Sequence, residues 1–159
     1  MTAKTSALAC RGGHRSTIDA ALSWVLPDME GQPIAEAGFV IAAADVMIHL
    51  GREAGVAVRV QGLRRYYAAL LSRDGMLRLV RQRDEERIVL AETAFAWSLE
   101  RSYDVEVAAE GDRITCRIGD ATLTARDGSA AEFRDGGIGL LVHEGALSSN
   151  DIRVTAVRA

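Results

Sequence analysis

Three histidines, two cysteines and a scatter of carboxylates are the side chains of this 159-residue chain that could carry reaction chemistry. His14, His49 and His143 lack the i, i+3 or i+4 spacing that sets two ligands on one helical face, so no metal site is expected from them. Asp127, Asp135 and Asp151 are isolated loop or strand-start acids, without the dense run of oxygen ligands that calcium needs. Nothing asks for a cofactor. Asp104-Val105-Glu106 puts two acids on one side of a strand, but Tyr103, Val105 and Val107 hold the core positions, so the acids face away from any shared pocket. Asp84-Glu85-Glu86 is contiguous in a turn. Ser148-Ser149 stands close in sequence to His143 and Glu144, yet the G-x-S-x-G elbow is absent and the segment reads as a polar turn before the last strand. Cys116 alternates inward with Ile114 and Ile118 as a small core residue.

Binding chemistry is better represented. From Arg52 to Arg87 the chain holds nine arginines against five acids, in a protein whose net charge is −3. Along Val56–Gln61, the face opposite Val56, Val58 and Val60 displays Ala57, Arg59 and Gln61, and neighbouring strands add one of Tyr66 and Tyr67 together with Arg78 and Arg81. The expected ligand-binding set is Arg59, Gln61, Tyr67 and Arg78, with His49 and His143 on strands beside it. Planar guanidinium donors and aromatic faces suit a hydroxyl-rich or anionic ligand: a sugar, a sugar phosphate or an ADP-ribose-like group.

The elements that must position these residues are strands. In GDRITCRIGDATLTARD, from Gly111 to Asp127, two period-2 runs meet at Gly119-Asp120, a two-residue hairpin signal. Upstream, Phe39–Leu50, Val56–Gln61, Tyr66–Ser72, Met76–Gln82 and Arg87–Glu92 read as strands, with Arg73-Asp74-Gly75 as a turn. Thr93–Leu99 reads as a loop with apolar anchors. Ser102–Ala109, Gly137–Val142 and Asp151–Val157 complete the set. Short strands without intervening helices predict an all-β antiparallel sandwich or jelly roll. Residues 1–37 are expected to be a poorly ordered leader and linker, in which Ser16–Leu26 reads either as a short helix capped by Ser16 or Thr17 or as an irregular strand, and residues 38–159 to be the sandwich domain.

Composition fits one globular domain, with 48% hydrophobic and 26% charged residues. The acidic balance gives no electrostatic case for nucleic acid or an anionic membrane as partner. Cys10 and Cys116 lie far apart, and the first residues lack an apolar signal core, so a reducing cytoplasm is expected.

The order G-V-A-V-R-V at Gly55–Val60, R-R-Y-Y-A at Arg64–Ala68, L-R-L-V at Leu77–Val80, I-V-L-A at Ile88–Ala91 and F-A-W at Phe95–Trp97 resembles concanavalin A-like sandwiches. Y-D-V-E-V at Tyr103–Val107, G-D-R-I at Gly111–Ile114, G-I-G-L at Gly137–Leu140 and N-D-I-R-V at Asn150–Val154 extend the likeness over about Asp45 to Val157. The series is similar to the laminin-G-like or 3-keto-disaccharide hydrolase-like group, and closest to the sandwich at the C-terminal end of bacterial ADP-ribosylglycohydrolase-related proteins. The resemblance implies a non-catalytic binding module for a carbohydrate or sugar-phosphate-like ligand on the concave sheet. The alternatives are a glycoside hydrolase-like enzyme, which would need two carboxylates about 5 to 9 Å apart across a sugar ring, and a purely structural dimerisation domain. The helical catalytic domain of the ADP-ribosylglycohydrolases has no counterpart here, so their activity does not carry over. The N-terminal strands expected from the resemblance are shortened, and an uncovered edge strand would favour a homodimer.

Overall fold

The computed structural model describes residues 4–18, 22–23, 39–62, 64–128 and 137–158. Among them every regular element is a strand: β1 (Lys4–Ile18), β2 (Leu22–Ser23), β3 (Phe39–Leu50), β4 (Glu53–Gly62), β5 (Arg65–Ser72), β6 (Met76–Arg83), β7 (Glu86–Ala94), β8 (Ser102–Glu110), β9 (Arg113–Ile118), β10 (Ala121–Arg126), β11 (Gly137–His143) and β12 (Gly145–Arg158). They build two six-stranded antiparallel sheets, ordered β1-β12-β3-β8-β9-β10 and β2-β11-β4-β5-β6-β7.

The alternation of the sequence sets the packing between the sheets. Val46 and Ile48 of β3, Val105 and Val107 of β8, and Ile114, Cys116 and Ile118 of β9 point from the first sheet into the core. Val56 and Val58 of β4, Leu71 of β5, Leu77 and Leu79 of β6, and Ile138 and Leu140 of β11 answer from the second. Each fully buried aliphatic side chain contributes about 1.5–3 kcal/mol relative to exposure. The β9–β10 hairpin closes at Gly119-Asp120 as its sequence predicts, with Ile118 opposite Ala121 and Gly119 at a φ of 55°. Phe95 and Trp97, in the link after β7, pack on the core as anchors, and the Trp97 indole N–H donates to the Ser72 carbonyl at 2.7 Å.

Two differences from the sequence expectation matter. Ser16, Thr17 and Ile18 pair with Leu147, Ala146 and Gly145 in the β1–β12 ladder, and Leu22–Ser23 pairs with β11, so of the two readings of this segment these residues take the strand and not the helix. β-Branched Thr17 and Ile18 suit the pleated ladder, and pairing outweighs the capping signal at Ser16. From Lys4 onward the expected leader is likewise strand β1, while residues 24–37 of the expected linker lie outside the described residues.

The second difference is a bulge in β4. Pairing with β5 shifts register between Val58 and Gly62, and Arg59 takes a φ of 52°, in the left-handed region. Against β11, Val58 is opposite Ile138 and Val60 opposite Gly137, so β4 carries one extra residue there, which inverts the alternation beyond it. Val56 and Val58 therefore face the core, whereas Val60 falls into a second buried cluster on the other side of the sheet, with Ala57, Tyr66, Ala68, Leu70, Val80 and Leu141. The outer face of the second sheet is apolar along its middle and becomes polar at the end where Glu53, Ser72, Arg78 and His143 lie.

Candidate functional site: a charged cleft on the second sheet

That polar end is a cleft of about 840 Å³. Its floor is laid across adjacent strands, because Glu53 of β4 is opposite Ser72 of β5 and His143 of β11, and Ser72 is opposite Met76 of β6. Arg78 on β6 and Arg87 on β7 close one side. The β3–β4 link gives Arg52, the β5–β6 turn gives Arg73 and Asp74, and the β11–β12 link gives Glu144.

The cleft is a lattice of ion pairs. Arg78 donates through Nη2 to Asp74 at 2.6 Å and through Nε to Glu92 at 2.9 Å. Its side chain is 25% exposed, so the guanidinium is held in place while one side stays open to a ligand. The Arg78 guanidinium beside Asp74 holds that carboxyl below its ordinary value, with Met76 N–H adding a backbone bond. Arg87 donates to Glu53, whose Oε1 also lies 3.3 Å from His143 Nδ1, and the Ser72 hydroxyl reaches Glu53 Oε2 at 3.5 Å. Tyr66 lies beneath, its hydroxyl against Arg87; burial raises its pKa, and Arg87 offsets part of that rise. Arg52 and Glu144 form an exposed pair at 3.5 Å, a contact worth little in water. Among the described residues Arg73 makes no side-chain hydrogen bond or ion pair, which leaves its guanidinium available. The lining thus sets four arginines and a histidine against three carboxylates. Among the described residues no group of three or more His, Cys, Asp or Glu side chains is arranged to hold a metal ion.

The structure brings two of the six expected ligand residues, Arg78 and His143, into this cleft. The other four lie elsewhere. Arg59 is 3% exposed, because the bulge turns it inward, and its Nη1 donates to the Gly111 carbonyl in the β8–β9 turn. Tyr67, at 1%, is a core residue whose hydroxyl donates to buried Asp127 at 2.8 Å. The strand alternation gives the outer face to Tyr66 instead. Gln61 is exposed near the far end of β4. His49 belongs to the first sheet, between Glu100 and Ser148, and the serine pair expected in a turn sits within β12.

Sequence reasoning missed Arg52, Glu53, Ser72, Arg73, Asp74 and Arg87. The first five occupy segments that read as turns or strand ends. Arg87 opens a strand in the sequence, and its meeting with Glu53 of β4 follows from the order of four strands in the folded sheet and not from any spacing.

No family model matches the chain, and no curated protein matches it. Solved structures do. The chain resembles a carbohydrate binding module, CBM66, from Bacillus subtilis, at 15% identity and a TM-score of 0.73 over 93% of this chain and 94% of that one. It resembles the Caenorhabditis elegans galectin LEC-6 at 9% identity and a TM-score of 0.58, over 95% and 96%. A β-fructofuranosidase from Aspergillus kawachii matches at 8% identity and a TM-score of 0.63, and here the chain covers 94% of itself but 27% of the enzyme. At such identities what is shared is the fold: the chain is an antiparallel β-sandwich of two sheets.

Proposed function

We propose that the protein is a carbohydrate-binding module whose ligand sits in the charged cleft of the second sheet. The observation that carries this reading is the lattice Asp74–Arg78–Glu92 beside Arg87–Glu53–His143, which presents fixed planar donors next to fixed carboxylate acceptors. A sugar ring displays adjacent hydroxyls that donate and accept at once, and such paired groups match it. The full-length likeness to a carbohydrate binding module and a galectin supports the same reading at the level of fold. Arg73 adds a cation without a carboxylate partner, which favours a sugar carrying a carboxylate or phosphate over a neutral one. The resemblance to the sandwich of ADP-ribosylglycohydrolase-related proteins is the reason to include ADP-ribose among the ligands tested.

Glycoside hydrolysis fits the cleft less well. A general acid must hold its proton near neutrality, so its pKa has to be raised. Asp74 is shifted the other way by Arg78, and Glu53 is committed to Arg87.

The test is a glycan and sugar-phosphate array followed by titration calorimetry. Arg78→Ala is expected to weaken the selected ligand about 10- to 100-fold, the loss of one charge-assisted hydrogen bond. Gln61→Ala, away from the cleft, is expected to leave affinity unchanged. Equal affinities for wild type and Arg78→Ala would remove the cleft as the site.

A further inference from the structure

We propose that Ser148, His49 and Glu100 form an acyl-transfer relay on the first sheet, able to hydrolyse carboxylic esters and separate from the sugar cleft. His49 Nε2 lies 2.8 Å from Ser148 Oγ, and His49 Nδ1 lies 2.8 Å from both Oε1 and Oε2 of Glu100. With the carboxylate accepting the Nδ1 proton, Nε2 is the acceptor that faces the serine hydroxyl. That is the order of nucleophile, base and orienting acid that activates a serine, whatever the fold or the sequence spacing.

Three features of the backbone build this arrangement. Pairing between β3 and β12 shifts register between Ala146 and Leu147, where Leu50 is opposite Ala146 and Ile48 opposite Leu147, so His49 is the extra residue of a bulge. It shifts again between Ser148 and Ile152, and there Asp45 Oδ1 clamps β12 by accepting from Ser149 Oγ at 3.0 Å and from Asn150 N at 2.8 Å. Bulges re-aim side chains, and these two flank the His49–Ser148 contact. Glu100 takes a φ of 59°, in the region that favours glycine, and is held there by its N–H on the Ile48 carbonyl at 2.9 Å. Backbone strain at a residue that also orients the base is the pattern of a functional turn.

The surroundings suit an acyl substrate. Ser148 is half-buried and the His49 side chain is 14% exposed, so the hydroxyl is reachable while the ring is fixed. Leu50 and Leu99, the chain neighbours of His49 and Glu100, are exposed large apolar residues and can receive an apolar acyl chain.

Ser148 Oγ adds to the ester carbonyl carbon while its proton passes to His49 Nε2. The bond between that carbon and the alcohol oxygen breaks as the imidazolium returns the proton to the leaving alcohol, leaving acyl-Ser148. Water then adds with His49 as base, which releases the carboxylic acid and restores the hydroxyl. Glu100 is a positioning residue. Aryl esters, whose leaving group is already good, need the least help from oxyanion donors and are the substrates of choice.

The full chain is treated with a fluorophosphonate probe and peptide-mapped, and its hydrolysis of 4-nitrophenyl butyrate is followed beside Ser148→Ala, His49→Gln and Glu100→Gln, each checked by circular dichroism. The expected results are an adduct on Ser148 and a kcat lower by about 100-fold or more in Ser148→Ala and His49→Gln. Glu100→Gln should lower kcat with KM unchanged. Sugar binding by Ser148→Ala should match wild type. Ser148→Cys gives an independent readout: its alkylation by iodoacetamide should slow about tenfold or more when His49→Gln is added. Absence of an adduct on the folded wild type, hydrolysis unaffected by Ser148→Ala, or equal alkylation rates would overturn the proposal.

Discussion

Asp127 gathers the polar interior of the sandwich. The Tyr67 hydroxyl donates to its Oδ2 at 2.8 Å and Arg81 Nη1 donates to both of its oxygens, at 2.9 and 2.7 Å. Arg81 and Asp127 are both buried, so removing one partner strands a charge away from water. Asp127→Asn is therefore expected to cost about 3–5 kcal/mol in urea unfolding. Tyr67→Phe, which gives up one hydrogen bond, should cost about 1 kcal/mol. Cys116 illustrates the opposite case of a buried group kept neutral. Burial, with a smaller contribution from Glu106, pushes its thiol from 9.0 up to about 12. The folded state then holds the thiol proton through a pH range in which the unfolded chain loses it. Stability is full below about pH 9 and falls as pH rises toward 12. Cys116→Val should flatten that alkaline decline in pH-dependent melts, and native Cys116 should resist thiol reagents at pH 8 by peptide mapping.

Strand β4 is the element that decides where function can lie. At Gly55 an added Cβ would sit 1.8 Å from the Ala69 carbonyl oxygen, so the β4–β5 pair closes only around a residue without a side chain. Gly55→Ala is expected to cost about 3 kcal/mol of unfolding free energy and to shift the β4–β5 amide resonances. The other decisive feature of β4, its bulge at Arg59, explains which parts of the protein were readable from sequence. Period-2 alternation placed Ile114, Cys116 and Ile118 in the core and gave the β9–β10 hairpin, because those two strands pair without a break in register. The same rule put Arg59 on the outer face with Arg78, because alternation assumes that no residue is inserted, and a left-handed φ at an arginine leaves no mark in composition. It also could not choose between Tyr66 and Tyr67, where one step along the strand separates the cluster on the outer side of the sheet from the core between the sheets. At the amino end, helix and strand could not be told apart over Ser16–Leu26, because the pairing partner of Ser16 and Thr17, β12, is more than a hundred residues away in sequence.

At the scale of the molecule, two sheets enclose one core, and charge is distributed unevenly over their surface. The chain carries a net −3, yet four of its arginines converge on the cleft, where Arg73, outside the ion pairs that hold Arg52, Arg78 and Arg87, is the cation that would draw an anionic sugar. Turns and strand ends from four separated parts of the chain supply that lining, so the cleft exists only once register is fixed. Sequence reading put Arg78 and His143 in one expected set, but grouped them with Arg59, Gln61, Tyr67 and His49, which bulge, alternation and sheet order send elsewhere. The most direct test of a sugar site in this cleft is an NMR titration of labelled protein with its best array ligand, following backbone amides and arginine Nε–Hε signals. A sugar in the cleft should give saturable shifts confined to Arg73, Arg78, Arg87 and the amides of Glu53 and His143. Shifts centred on Gln61, or on His49 and Ser148, with the cleft arginines unmoved, would contradict it.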